Sequence, residues 1–212
     1  MDRSRPALVA GLCVVLVTTG CLGVLTGSEP ISATATPAEV DDGTLDRTGY
    51  GEYLTESPSL TRNVTVAGQT RRIEVTNEVR GYNRTLALGP LGERDLARFV
   101  VLSTPAVSVA GQTFNPVGDW SNRRTVRRLT STYEDLDTVA FDENRTVSAL
   151  GESRTVSRYT AETTVDGQTV DVYVHLAKFR HGDDFVVALA VHPRQVEEGD
   201  RIDTLLGTLR HG

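Results

Sequence analysis

The sequence is poor in cysteine and lysine. Its two cysteines are Cys13, inside an apolar N-terminal run, and Cys21, just after that run. If the run is cleaved during export, a single thiol remains, which excludes an intramolecular disulfide and a cysteine-based zinc site. The rest of the chain is long enough to bury about two-thirds of its unfolded surface. We therefore expect one domain that folds through its apolar core alone.

The charge balance is acidic. The formal net charge is −6, and Lys178 is the only lysine among 22 basic residues. Because nucleic-acid binding needs a basic footprint, we expect no nucleic-acid partner. Few lysines, many acidic groups and abundant Thr, Val and Gly are typical of haloarchaeal proteins. A GC-rich genome also explains a shortage of lysine, and both interpretations stay open.

The sequence also lacks the local motifs of common enzymes. It has no Gly-x-Ser-x-Gly nucleophile elbow, no zinc-protease helix and no phosphate-binding glycine loop. Carboxylate-rich segments such as 134–137 lack the spacing of a calcium loop and are typical of solvated acidic surface. His175, His192 and His211 are interpreted as ordinary strand or terminal residues. We therefore predict no catalytic residue, no metal and no cofactor.

The N-terminus has the pattern of a secretory signal. Arg3 and Arg5 precede the uncharged, mostly apolar run Ala7–Val17. This run is too short to span a bilayer, which needs about 20 residues, but it fits a signal-peptide core. Ser4 separates the two arginines, so the twin-arginine signature is absent. Thr-Thr-Gly then precedes Cys21, as small residues precede a lipid-modified cysteine; the alternatives are an uncleaved anchor and a plain secreted protein.

These features divide the chain into three parts. Residues 1–20 are the predicted signal peptide, and residues 21–36 are the lipidated Cys21 with a flexible tether rich in Gly, Ser, Thr and Ala. Residues 37–212 form the predicted single α+β domain. The lipid on Cys21 would hold this domain on the extracellular face of the cell membrane.

Segments spread over the mature chain resemble a family of uncharacterised haloarchaeal lipoproteins. The matching segments are Gly20-Cys21, Val66–Thr70, Leu88–Glu93, Leu102–Pro105, Phe114–Asp119 and Asp183–Val187. The resemblance implies a location at the cell surface. It implies no activity and assigns no functional residue.

Hydrophobic periodicity predicts mostly strands. Phe185–Val191 is apolar throughout, which predicts a central strand covered on both faces. The predicted strands are 63–66, 72–79, 96–102, 138–149, 153–166, 169–180 and 184–192. Strands grouped in hairpins indicate an α+β fold, an antiparallel sheet with helices packed on it. The last hairpin and the terminal helix resemble the end of the PsbP/Mog1-like fold.

Three helices are predicted. The first is capped by Thr36, with proline at its first position, and ends at Gly49. The second runs over Asp119–Leu136, where apolar residues recur at helical spacing. The third, near the C-terminus, is capped by Asp200. Trp120 marks a rigid corner at the start of the second helix, where it either faces a ligand or packs at the edge of the core, the interpretation we favour.

The second helix carries the main candidate binding site. Its apolar side includes Val126, which leaves four arginines on the opposite side. These residues are Arg123, Arg124, Arg127 and Arg128. One hypothesis is that this strip contacts an anionic surface, either lipid headgroups or an acidic envelope protein, since arginine binds phosphate and carboxylate in a bidentate way. The interpretation we favour from sequence alone is a solvated helix face that pairs with local acids such as Glu134.

Three asparagines lie in N-glycosylation sequons. Asn63, Asn83 and Asn144 are each followed two positions later by threonine. On an exported protein this pattern makes them candidate glycan acceptors.

The sequence thus predicts a lipid-anchored cell-surface protein that acts as a binding or envelope module and not as an enzyme. The alternative is an envelope hydrolase or metal-dependent enzyme whose site is assembled from residues far apart in the chain. A deep pocket that gathers His175 or His192 with two carboxylates would favour the enzyme. An exposed polar face would favour the binding module.

Overall fold

The computed structural model describes residues 30–66, 68–87, 89, 92–109, 112–113, 115–133 and 136–212. The predicted signal peptide and Cys21 lie outside these residues, as do Phe114 and Glu134. No described helix combines the length and the apolarity needed to cross a membrane.

Strands dominate the described part of the chain, and four short helices connect or cover them. The strands are β1 (Ile31–Thr34), β2 (Ala38–Val40), β3 (Gly51–Glu56), β4 (Ser59–Val66), β5 (Gln69–Thr76), β6 (Glu78–Ala87), β7 (Glu93–Pro105), β8 (Ser108–Val109), β9 (Gln112–Thr113), β10 (Asp137–Ala149), β11 (Glu152–Val165), β12 (Gln168–His181), β13 (Asp184–Pro193) and β14 (Leu209–His211). The helices are α1 (Asp42–Thr48), α2 (Pro116–Asp119), α3 (Asn122–Tyr133) and α4 (Gly199–Gly207).

One antiparallel sheet of seven strands organises the molecule. Its order is β10-β11-β12-β13-β7-β6-β3, so β13 is the central strand. Val186 and Val187 on β13 face opposite sides of the sheet, and both are almost fully buried, one in each of two apolar clusters. The prediction of a central strand covered on both faces is confirmed.

Smaller sheets flank the main one. Strands β4 and β5 form the predicted hairpin, and β1 joins them in parallel with β5. Strand β2 pairs with β14, which ties the start of the domain to its end. Residues 31–34 fall within the tether predicted from sequence, but they form strand β1. Regular structure therefore begins before the predicted boundary at residue 37.

The fold is mostly β and not the balanced α+β fold expected from sequence. The hairpin strands are as long as predicted or longer, because each turn of the β10–β13 meander contains a glycine with positive φ, for example Gly167 at 77°. One predicted strand, 72–79, is in fact two. Strand β5 ends at Thr76 and β6 begins at Glu78, with Asn77 between them donating its backbone N–H to the carbonyl of Pro58.

Helix α1 begins later than predicted. Thr36 is not its cap, because the residues that follow pair as β2 with the C-terminal strand. Asp41 caps the helix instead, with its carboxylate accepting from the N–H of Thr44 at 3.2 Å. The end is as predicted, since Gly49 takes the left-handed conformation at φ 73°.

The C-terminal helix packs on one face of the sheet, as its apolar spacing predicted. Ile202, Leu205 and Leu206 of α4 are buried in the first apolar cluster. Asp200 is not the cap, because the helix already begins at Gly199 after Glu198. Leu209 lies in β14 and not in the helix.

The helix predicted over Asp119–Leu136 begins three residues later than expected, and a separate short helix precedes it. Helix α2 ends at Asp119 and α3 begins at Asn122. Between them, Trp120 and Ser121 turn the chain, and the hydroxyl of Ser121 accepts from the N–H of Arg124 at 3.3 Å. Serine at the position before a helix favours such a break because it satisfies a free N–H group.

Candidate functional site

A rigid corner positions the start of α3. The side chain of Asn115 accepts from the N–H of Val117 at 2.9 Å and donates to the carbonyl of Pro105 at 2.8 Å. Gly118 packs so closely on Phe185 that a Cβ would lie 2.6 Å from the ring. A larger residue would displace the ring of Phe185, and these contacts hold the corner against the ends of β7 and β13.

The only lysine completes the corner. Nζ of Lys178, on β12, donates to the carbonyl oxygen of Val117 at 3.1 Å and also to that of Trp120. These carbonyls belong to the end of α2, where a cation is favoured. Trp120 is half-buried against the second apolar cluster. It therefore packs at the core edge, as the sequence interpretation favoured.

Helix α3 is amphipathic in the way its sequence predicted. Thr125, Val126 and Thr130 are buried against the sheet. Asn122 donates to the hydroxyl of Ser157 on β11 at 3.1 Å, which fixes the first turn. The four arginines of the predicted strip all lie on the exposed side of this helix.

These arginines line a surface hollow of about 540 Å³. Its lining consists of Ser121, Arg123, Arg124, Arg127 and Arg128, which we call the arginine surface. The guanidinium of Arg124 lies 5.3 Å from the centre of the Trp120 ring, a cation–π contact that holds this side chain at the rim. Within the described part of the chain, neither Arg123 nor Arg127 has a carboxylate within ion-pair distance.

The start of α3 concentrates positive charge. The first turn of α3 contains no acidic residue. Its N-terminus carries the positive end of the helix dipole, and cations placed there are destabilising by about 0.3–1 kcal/mol each. Arg123 and Arg124 lie in that turn, and two further arginines follow. A bound phosphate or carboxylate would offset this concentration of positive charge.

A second polar cluster lies inside the core, where sequence reasoning did not find it. Nη1 of Arg145 lies 2.7 Å from Nδ1 of His175, and Nε of Arg145 lies 3.0 Å from the carboxylate of Asp203 on α4. Nε2 of His175 lies 3.0 Å from Nε2 of His192, whose Nδ1 lies 3.0 Å from the carbonyl oxygen of Pro193.

These contacts determine the tautomers of both rings. A guanidinium can only donate, so Nδ1 of His175 accepts and its Nε2 carries the proton. That proton is donated to His192, whose Nδ1–H is left to donate to the carbonyl of Pro193. Burial lowers the pKa of His175 to about 2, with repulsion from Arg145 adding to the effect. Burial also lowers the pKa of His192, so both rings are neutral near neutral pH.

The other two histidines, His181 and His211, meet at the C-terminal end of β12. Nδ1 of His211 lies 2.8 Å from Nδ1 of His181. Nε2 of His211 lies 3.0 Å from the hydroxyl of Ser103 and 3.2 Å from the carboxylate of Asp184. In a catalytic triad the serine and the aspartate contact different ring nitrogens. Here they share one, so this group is not arranged for nucleophilic catalysis.

The described cavities do not contain the histidines. A cleft of about 340 Å³ has Val170, Val172 and Val191 among its lining residues, with the ion pair of Arg94 and Asp166 also at its wall. Neither this cleft nor the arginine surface includes a histidine. Among the described residues, no three His, Cys, Asp or Glu side chains are placed to hold a metal ion.

The three sequons differ in their surroundings. Asn63, on β4, has an exposed side chain. The amide nitrogen of Asn83, to which a glycan would attach, donates to Asp95 at 3.1 Å. Asn144, on β10, uses its amide oxygen to accept from Ser157 at 2.8 Å.

The structure thus defines a mostly β domain with a basic surface on one exposed helix. The chain belongs to a family described as a domain of unknown function, DUF6517, whose model matches residues 37–210. None of the curated proteins matches the sequence. Among solved structures, the chain is similar to PA94, a protein of unknown function from Pseudomonas aeruginosa, at 11% identity and a TM-score of 0.28. That alignment covers 64% of this chain and 84% of the other.

Proposed function

We propose that this protein is an exported, lipid-anchored module of the cell surface that binds an anionic partner through its arginine surface. The hollow lined by four exposed arginines carries the binding part of this proposal. The signal-like run before Cys21 supports the export and the anchor. The lysine-poor, acidic composition and the matching segments support a haloarchaeal lipoprotein. The last hairpin and helix remain the basis for proposing a PsbP/Mog1-like fold.

The positions of the histidines support a binding module over an enzyme. His175 and His192 are both about 3% exposed, and their ring nitrogens are engaged with Arg145, with each other and with a backbone carbonyl. A general base needs a route to substrate and a free lone pair. The arginine surface, in contrast, is open to solvent.

The single tryptophan offers a direct test of binding. Trp120 is the only tryptophan of the chain and touches Arg124. We expect soluble polyphosphate, added to the full chain, to change the emission of Trp120 with saturation. The double variant Arg123→Gln/Arg127→Gln should weaken this response, since glutamine keeps helix propensity but removes the charge.

A charge-matched control uses two exposed arginines at the far end of the sheet. The variant Arg94→Gln/Arg194→Gln loses the same charge but should keep the wild-type response. If polyphosphate leaves the emission of the wild-type protein unchanged, or if both variants lose the response equally, the binding proposal is wrong. The anchor is tested separately, by mass spectrometry of the mature N-terminus and by release of the Cys21→Ser protein from the membrane fraction.

A further inference from the structure

The segment between β1 and β2 lies at the same end of the main sheet as the corner that begins α3. The backbone N–H of Thr36 donates to the carboxylate of Asp184, the first residue of β13, at 2.8 Å. The next residue along β13, Phe185, contacts Gly118 of α2. Successive residues of a strand point to opposite faces of the sheet, so Thr36 and the corner lie near the same end of β13 but on opposite faces.

The length of the segment before β1 limits how far the domain, and with it the arginine surface, can lie from the anchor. Ten residue steps separate Cys21 from Ile31, where β1 begins. At about 3.3–3.6 Å per residue, ten steps reach at most about 35 Å. A lipid on Cys21 would keep the domain close to the bilayer.

Charge then decides which surface faces the membrane. The protein is acidic overall, at a net charge of −6, and an anionic bilayer repels most of its surface. The arginine surface concentrates four positive charges on the exposed side of α3. Arginine forms bidentate hydrogen bonds with phosphate oxygens, which anionic phospholipids present at the bilayer surface.

We propose that the arginine surface binds the phosphate groups of anionic lipids in the same membrane that carries the anchor. The inference rests on the proposed function and names its partner. The domain then has two attachments, one through the lipid on Cys21 and one through α3. A single acyl chain holds a protein only marginally, so a second contact adds substantially to residence on the membrane.

Salt concentration separates direct contact from long-range attraction. At about 1 M salt the Debye length is about 3 Å, so attraction between separated charges vanishes. Bidentate contacts between guanidinium groups and lipid phosphates persist under these conditions, because the charges touch. We therefore expect binding to weaken with salt but to remain measurable at about 1 M.

The test uses the full chain with Cys21→Ser, which removes the lipid and leaves the arginine surface alone. Vesicles of phosphatidylcholine with about 30% phosphatidylglycerol are compared with vesicles of phosphatidylcholine only, by sedimentation and by Trp120 emission. We expect binding to the anionic vesicles only. Adding Arg123→Gln/Arg127→Gln should weaken it about thirtyfold, since each basic residue near an anionic membrane contributes a factor of about five.

The control again is Arg94→Gln/Arg194→Gln, which should bind the anionic vesicles like its parent. Equal losses in both variants would show a general charge effect and overturn the lipid proposal. Binding to polyphosphate but not to anionic vesicles would also overturn it, while the proposed anionic binding function would stand. An unmodified Cys21 in the native protein would refute the anchor and the shared membrane, whatever the vesicles show.

Discussion

Nε2 of His175 lies 3.0 Å from Nε2 of His192 inside the protein core. Neither ring can take up a proton without losing one of its contacts, because Arg145 on one side and the shared hydrogen bond on the other require neutral tautomers. Because both rings stay neutral, the folded protein binds fewer protons than the unfolded chain in acid.

This pair predicts a loss of stability in mild acid. Unfolded histidines titrate near pH 6.5, whereas burial lowers the pKa of His175 to about 2 and also lowers that of His192. Below about pH 6.5 the two histidines are protonated in the unfolded chain to a greater extent than in the folded protein. As the pH drops below about 6, His175 alone should lower the free energy of unfolding by up to about 1.4 kcal/mol per pH unit, and His192 should add to this fall.

Urea unfolding at pH 7, 6 and 5 measures this slope. His211, whose pKa is also lowered by burial, adds a background that remains in all variants. In the variant His175→Gln/His192→Gln, the slope between pH 6 and pH 5 should be clearly smaller than in wild type. An unchanged slope would mean that the pair is not neutral in the folded protein.

Lys178 should be essential for the corner before α3. The change Lys178→Met keeps the apolar stem but removes the donor to the carbonyls of Val117 and Trp120. We expect a loss of about 2 kcal/mol in the free energy of unfolding, because these hydrogen bonds come from a charged group. Thermal or urea unfolding measures the loss. Arg180→Gln, an exposed position on the same strand, is the control and should change stability little; equal stability of both variants would contradict this role.

The central strand should not tolerate a charge. Val187→Asp places a carboxylate where the side chain is about 1% exposed and surrounded by apolar residues. We expect the domain to unfold, since an unpaired buried charge costs more than most domains can lose. Circular dichroism and the melting temperature report the outcome. Thr169→Asp, at an exposed position of β12, should melt like wild type, and native melting of both variants would show that β13 is less buried than described.

Glycan occupancy should depend on whether the side-chain amide of each asparagine is exposed or already hydrogen-bonded. Asn63 is exposed, whereas the acceptor nitrogen of Asn83 is bonded to Asp95. If the mature protein is glycosylated after folding, Asn63 should carry a glycan more often than Asn83. Glycopeptide mass spectrometry measures both occupancies, with Thr65→Ala as the control that removes the first sequon. Higher occupancy at Asn83 would contradict this order.

Sequence periodicity predicted those features that depend on local spacing. The four strands of the β10–β13 meander were found to within one residue at each end, because glycine-containing turns separate long alternating or apolar runs. The arginines of α3 were placed on its exposed side because residues three and four apart share one side of a helix.

Features that depend on distant parts of the chain were not predicted. The residues of β1 carry too few apolar groups to predict a strand, and pairing with β5 decides their conformation. The contact of His175 with His192 depends on the register of the β12–β13 hairpin. In that register, Tyr173 is paired with His192 and His175 with Ala190, so the two histidines are diagonal neighbours on one face. The register follows from the two-residue turn between His181 and Asp184, which is the sequence signal from which the pair could have been found.

The central claim is that the arginine surface lies on the membrane that carries the anchor, and quenching of Trp120 tests this most directly. The lipid-modified protein is reconstituted in anionic vesicles whose lipid headgroups carry a fluorescence quencher. Because Trp120 is the only tryptophan and touches Arg124, its emission reports the distance between the arginine surface and the headgroups. We predict strong quenching in the wild-type protein and much weaker quenching in Arg123→Gln/Arg127→Gln, with the anchor intact in both. Equally weak quenching in the two proteins would show that the surface faces away from the membrane.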